Sequence, residues 1–320
     1  MESMKRFFLT AWTILRKTIV NFYEDDSMSY ASSIAFYTIF SMPAILIIAL
    51  SIGTTFYERN VVQEELINQV ERLIGMNSEK EITEIITNAR LDSTSAFAKS
   101  VGIVTLIFSA TTVFASLQSS LNKIWGIKPK PGKGIVKFVV NRLLSLAMVA
   151  VMGFLLLVSL VVDASLAIFQ GFLSRIMEGF ALHILNATNI VISFTIITVI
   201  FALVFKVLPD ANVKWRDVWL GAIVTTVLFT IGKFFIGFYL GNSTFGSAYG
   251  AAGSLVIILV WIYYSTIIVL FGAELTSVYT EEIGERIKPT DTAVKVQQIE
   301  IEKNEKNETT SVNKAPLRHT

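Results

Sequence analysis

Six long apolar stretches set the pattern of this chain, at about 34–56, 98–117, 143–162, 189–207, 218–240 and 254–274. The last carries no charge from Ser254 to Ala273. At ~1.5 Å of rise per helical residue, those positions match the ~30 Å hydrocarbon core of a bilayer. A helix apolar on every side has no use for water; lipid, which solvates no backbone, demands such a helix. The expected fold is therefore all-α: a polytopic membrane protein with six transmembrane helices plus interfacial and extracytoplasmic amphipathic helices. The sixth stretch is the expected organiser. Small residues (Gly246, Gly250, Gly253 and neighbouring alanines) crowd its entrance, and Glu274 stands where the apolar run stops.

Between these stretches the pattern changes. Within residues 1–26, Phe8, Trp12, Leu15, Ile19 and Phe22 recur at helical spacing, with Arg6, Thr13, Lys17 and Glu24 on the other side. That predicts a helix lying in the membrane interface, with a soluble helix packed on the domain as the alternative. Arg16 and Lys17 break the apolar core too early for a signal peptide. Pro43 predicts a kink in the first span, with Thr38 and Ser41 placed to satisfy the carbonyl freed at Ile39. Residues 57–97 read as an acidic outer helical hairpin, with eight acids against four bases between Glu58 and Asp92. Residues 164–184 form another amphipathic stretch. The membrane domain is taken as 27–280, and 281–320 reads as a disordered tail.

Composition narrows the class. Hydrophobic residues make up 53% of the chain and charged ones 16%, against about a quarter charged in soluble domains. There is no cysteine, and the two histidines are His183 and His319. No disulfide, thiolate nucleophile or imidazole metal centre follows, and no metal or cofactor is expected. Basic residues are uneven: thirteen fall on one side of the six spans before the tail, and six on the other. By the positive-inside rule both termini are cytoplasmic.

Lys233, inside the fifth span, is the most informative single residue. An ammonium there calls for a cavity or partner, or else snorkels to the headgroups. Asp163, at the outer end of the third span, is the first partner to test. Glu274 has three readings: a basic partner (Lys123 or Arg142), a bound ion, or hydration at the interface. Asp25 and Asp26 close the first helix, where the dipole disfavours them unless they meet a basic partner or cap an adjoining helix start. Gly237 with Gly241, and Gly246 with Gly250, are G-x-x-x-G pairs that suggest a tight helix hairpin.

Three segments carry a resemblance: Ser27 to Pro43 after the acidic pair, S-L-Q-S-S-L-N-K-I-W at 116–125, and Y-G-A-A-G-S-L-V-I-I-L-V-W-I-Y-Y-S…F-G-A-E-L at 249–275. Over residues 10–285 the chain resembles the YihY/BrkB family of bacterial inner-membrane proteins, formerly labelled ribonuclease BN. The resemblance implies a six-helix membrane protein with transport or lipid translocation suspected. The residues favour the same reading, with membrane lipids and an unidentified small molecule, ion or lipid as partners; a homo-oligomer is compatible with it. An envelope scaffold binding a partner through 58–92 is the alternative. The nuclease reading is weakest: it needs clustered carboxylates or a His/Lys pair, and the inner side offers scattered acids. Accordingly, no enzyme activity and no specific nucleic-acid partner is expected.

Overall fold

The computed structural model describes residues 2–55, 57–74, 96–130, 142–148, 180–241, 253–296, 301–303 and 309–311, with single positions at 83, 140 and 151. The long helices are α1 (Glu2–Glu24), α2 (Ser27–Gly53), α3 (Arg59–Ile74), α4 (Ala96–Ile124), α5 (Phe180–Val207), α6 (Trp215–Gly241) and α7 (Gly253–Glu282). A helical piece at 142–148 lies beside α4. Among the described residues, four helices are long and apolar enough to cross a membrane: Ser27–Ser51, Ile190–Val207, Trp215–Ile236 and Val256–Glu282. They answer to the first, fourth, fifth and sixth expected stretches. The second stretch falls within α4, and the third lies mostly outside the described residues.

Helix α7 is the hub, packed against α1, α2, α4 and α6. Its approach to α6 is set by a reciprocal pair of glycines. Thr276 sits where a Cβ on Gly221 would stand, and Thr225 sits where a Cβ on Gly272 would stand. Each threonine also donates to the glycine carbonyl one turn back on its own helix, Thr225 to Gly221 at 2.7 Å and Thr276 to Gly272 at 2.8 Å. The hydroxyls are thereby satisfied without water, as lipid requires. Further along, Phe229 meets Trp261 edge-on at 5.8 Å and Phe201 at 5.6 Å, joining α5, α6 and α7.

Helices α1 and α2 meet at Asp25–Asp26. Asp26 adopts a left-handed backbone, φ 54°, a conformation aspartate tolerates better than most residues. It stands directly before α2 and accepts from the Ser29 hydroxyl at 2.8 Å. The α1 surface has two apolar faces where one was expected. Ile14, Thr18 and Phe22 are buried, with Ile14 against Leu275 and Val278 and Phe22 against Phe271. Phe8, Trp12, Leu15, Ile19 and Tyr23 are exposed. Helix α2 runs through Pro43 without interruption. The expected helpers do other work: Thr38 donates to Ile34, and Ser41 reaches across to the Ser109 carbonyl of α4 at 2.6 Å.

Helix α3 folds back on α2, with Val62, Leu66 and Ile67 packed on Leu46 and Leu50. It covers the residues expected to form the first arm of a hairpin; those expected for the second lie, but for position 83, outside the described residues.

The hydrophilic C-terminal stretch does not behave throughout as a tail. Strand β3 (Lys288–Pro289) pairs with β2 (Ala211–Asn212), and β4 (Ala293–Lys295) pairs with β1 (Ile127–Pro129), both antiparallel. Thr290 N donates to Asp210 O at 3.0 Å, Lys130 N to Thr292 O at 3.0 Å, and Val296 N to Gly126 O at 2.7 Å. Residues 287–296 thus form a strap across the loops that leave α4 and α5. Ile287 and Ala293 enter the core with Trp125 and Leu208. Loop backbone supplied the hydrogen-bond partners that the polar side chains gave no hint of. A further pair joins β5 (Ile301–Lys303) to β6 (Thr309–Ser311).

Candidate functional site

Glu274 is fully buried. It does not stand at the helix exit: α7 runs eight residues beyond it, to Glu282. Thr276, Ser277 and Thr280 are polar by name, yet Thr276 and Thr280 bond back to helix carbonyls at 2.8 and 2.7 Å, so the helix continues. Beside Glu274, the Ala273 carbonyl accepts from Trp125 Nε1 at 3.1 Å, which ties α7 to the end of α4.

Around this end of the bundle the polar groups are dense. Asn122 and Asp210 are buried and clasp each other: Asn122 Nδ2 donates to Asp210 Oδ2 at 2.9 Å, and Asp210 N donates to Asn122 Oδ1 at 2.8 Å. Asp217 is buried where the Gly284 turn crosses α6. Lys123 donates to the Tyr30 hydroxyl, with its ammonium 4.7 Å from the ring centroid. At the rim, Lys17 pairs with Glu282, Lys214 with Glu285, and Lys295 with Glu281 at 3.8 Å.

Lys233 lies near the opposite end of α6 and is half-buried. Its neighbour Gly232 is covered by the Tyr264 ring, and Phe234, Phe235 and Phe238 are exposed around it. From Tyr264 to Glu274 is ten residues of helix, roughly 15 Å, so Lys233 and Glu274 occupy different depths. Asp163 falls outside the described residues. Asp25 is half-buried and Asp26 exposed at the head of α2, where the Asp26 carboxylate accepts from the Ser29 hydroxyl.

Of the small residues singled out in the sequence, Gly253 begins α7 and Gly237 and Gly241 end α6, while Gly246 and Gly250 lie outside the described residues. Among the described residues, the close approach of α6 and α7 is made by Gly221, Gly232 and Gly272. The missed signal was G-x-x-x-T at 221–225 and 272–276.

Arg142 also departs from expectation. It is one of the thirteen basic residues assigned to the inner side, but its Nη2 donates to Phe108 O at 2.8 Å and to Thr112 Oγ1 at 3.1 Å, and its guanidinium lies 3.9 Å from the Phe108 ring centroid. Thr112 is eleven residues along α4 from Lys123, roughly 16 Å of helix. The arginine therefore lies well along α4 from the Lys123 end, half-buried on the flank of that helix.

A sequence model of the family described as "Virulence factor BrkB" matches residues 18–297. The chain belongs to the BrkB family. Curated relatives of this BrkB-family chain are called UPF0761 membrane proteins. One from Legionella pneumophila is 28% identical over 284 residues, covering 87% of this chain and 65% of the relative. One from Psychrobacter sp. is 26% identical over 274 residues, covering 85% and 49%. A third, from Rhodospirillum centenum, is 23% identical over 274 residues, covering 84% and 57%. The chain thus spans about half to two thirds of the length of these relatives. No solved structure matches it. The chain is a membrane protein of this family, with several apolar helices able to cross a bilayer.

Proposed function

We propose that this BrkB-family chain is a translocator of the bacterial inner membrane that moves a small molecule, ion or lipid. In this reading six helices cross the bilayer, with the second span in α4 and the third over 143–162. The strap end, where the basic residues gather, faces the cytoplasm with both termini.

One observation carries the reading: Glu274 is fully buried within a helix otherwise apolar enough to cross a membrane. A carboxylate at such a place is costly, and ionisable groups inside spans most often mark a substrate or ion path. Glu274 is assigned the coupling role, taking a cation or a proton. Lys233, at the other depth, is assigned neutralisation of anionic cargo. The reading includes no catalytic step.

The test is flux in proteoliposomes for Glu274→Gln and Lys233→Met beside the parent chain. Each variant is expected to lower flux strongly while keeping its gel-filtration profile. Unchanged flux in a well-folded variant removes that residue from the path, and no flux in the parent removes the reading.

A further inference from the structure

Four helices are locked together at the strap end. The strap pairs backbone to backbone with the segments that leave α4 and α5, and the Asn122–Asp210 clasp joins the same two segments. The Trp125 indole fixes the end of α4 to the Ala273 carbonyl of α7. Gly221 and Gly272 hold α6 and α7 in contact at Thr276 and Thr225. Because the strap continues directly from α7, parting any of these ends means breaking paired backbone groups.

The side formed by α1 and α2 is joined to this body differently. Among the described residues, no strand pairing crosses to it. Polar side chains bridge the boundary: Lys17 of α1 pairs with Glu282, and Lys123 donates to the Tyr30 hydroxyl of α2. Lys17 and Glu282 are 30% and 32% exposed, so water competes for that pair. The residues buried by the first half of α2 are mostly small, Ser27, Ala31 and Ala35 beside Ile34.

Three features let this side move. Asp26, between α1 and α2, holds a left-handed backbone at φ 54°. Pro43 leaves the Ile39 carbonyl without its usual donor, which makes it the softest point of α2. Ser41, just before it, is tied to the Ser109 carbonyl of α4, so the far half of α2 stays anchored. Ser27 is fully buried, and its hydroxyl makes no hydrogen bond among the described residues. Burying it so is costly, and contact with water would remove that cost.

Glu274 lies behind this side. Its neighbours three residues back and four on, Phe271 and Val278, meet Phe22 and Ile14 of α1, and that spacing puts all three on one helix face. We infer that α1 and the first half of α2 form an arm that swings from the strapped α4–α5–α6–α7 body, hinged near Pro43, and so opens Glu274 to water at the strap end. The inference rests on the translocator reading and names the moving part of that same site.

The test labels Glu274→Cys with N-ethylmaleimide in the full chain, held in phosphatidylcholine nanodiscs; the natural chain has no cysteine. Lys17→Met or Lys123→Met loosens the arm and is expected to raise the labelling rate about two- to fivefold, the worth of one partly exposed polar pair. Lys214→Met breaks a pair within the strapped body and should leave the rate unchanged. No rise with either arm variant, or an equal rise with Lys214→Met, overturns the arm and leaves the translocator reading standing.

Distances cover the case of a Glu274→Cys variant that does not fold, or of a parent without flux. Spin labels on Arg16→Cys with Arg216→Cys span the boundary, and labels on Lys128→Cys with Arg216→Cys lie within the body; all three positions are exposed. A broad or two-peaked distribution for the first pair beside a narrow one for the second supports the arm. Equal widths, narrow or broad, overturn it.

Discussion

Asn122 and Asp210 hold each other through two hydrogen bonds of 2.9 and 2.8 Å, although 88 residues separate them. The amide of Asn122 gives to the carboxylate and takes from the Asp210 backbone, so its donor and acceptor ends are both used. Asp210 O in turn accepts from Thr290. One side chain therefore joins the end of α4, the α5–α6 loop and the C-terminal strap.

Replacing Asn122 should be costly for that reason. Asn122→Leu deletes both bonds next to a buried carboxylate and is expected to destabilise the fold by about 2–4 kcal/mol. Asn122→Asp should be at least as damaging, since it removes the donor and places like charges together. Thermal unfolding in detergent, with both variants beside the parent, checks this; an unchanged midpoint for Asn122→Leu would show that the clasp contributes little.

The α6–α7 contact predicts a second outcome. Gly221→Ala or Gly272→Ala drives a methyl into the facing threonine hydroxyl, which is committed to its own helix. Overpacking of this kind costs about 1–3 kcal/mol. Unfolding midpoints of the two variants beside the parent measure it; an unchanged midpoint in both would show that the approach is loose.

The strap should be a folded part of the molecule up to Val296. Ile287→Asp places a charge in the cluster around Trp125 and Leu208 and is expected to cost about 3 kcal/mol or more. Ile287→Val, by contrast, should cost about 1 kcal/mol. Limited proteolysis with mass readout checks it: protection of 287–296 in the parent and in Ile287→Val, cleavage there in Ile287→Asp. Ready cleavage of the parent within 287–296 would contradict the strap.

The strap's ion pair sets a pH dependence. The hydrogen bond from Lys214 holds the Glu285 carboxyl below its ordinary value, opposed by desolvation and aided by the charges of Lys214 and Lys288. A carboxyl lowered by folding stabilises the fold above its unfolded value, about 4.3. That contribution fades as pH falls through the lowered folded value. Strap protection should therefore be flat from neutral pH down to pH 5 and fall below that, whereas Glu285→Gln should start slightly lower at neutral pH and lack the acid fall. The group is exposed, so the change is expected to be small. Amide exchange of residues 285–290 against pH measures it.

Much of the architecture was legible in the chain itself. Lipid imposes one requirement along the whole length of a span, so four uncharged or nearly uncharged runs were enough to locate α2, α5, α6 and α7. The acidic pair at 25–26 could be read as a helix junction because dipole and capping act within one turn. Helix ends were less legible. Glu274 looked like an exit marker, but Leu275 and Val278 pack on Ile14 of α1 and the threonines beyond it bond back to helix carbonyls.

What tertiary structure alone decided are the pairings across distance. Which glycine meets which threonine, which loop strand accepts the polar strap, and where Arg142 comes to rest depend on how helices align. Hydropathy, a sum over neighbours in sequence, holds no term for partners about 30 to 170 residues away. The chain by itself determined that this protein lives in a membrane; the packing decided which of its few buried polar groups share a site.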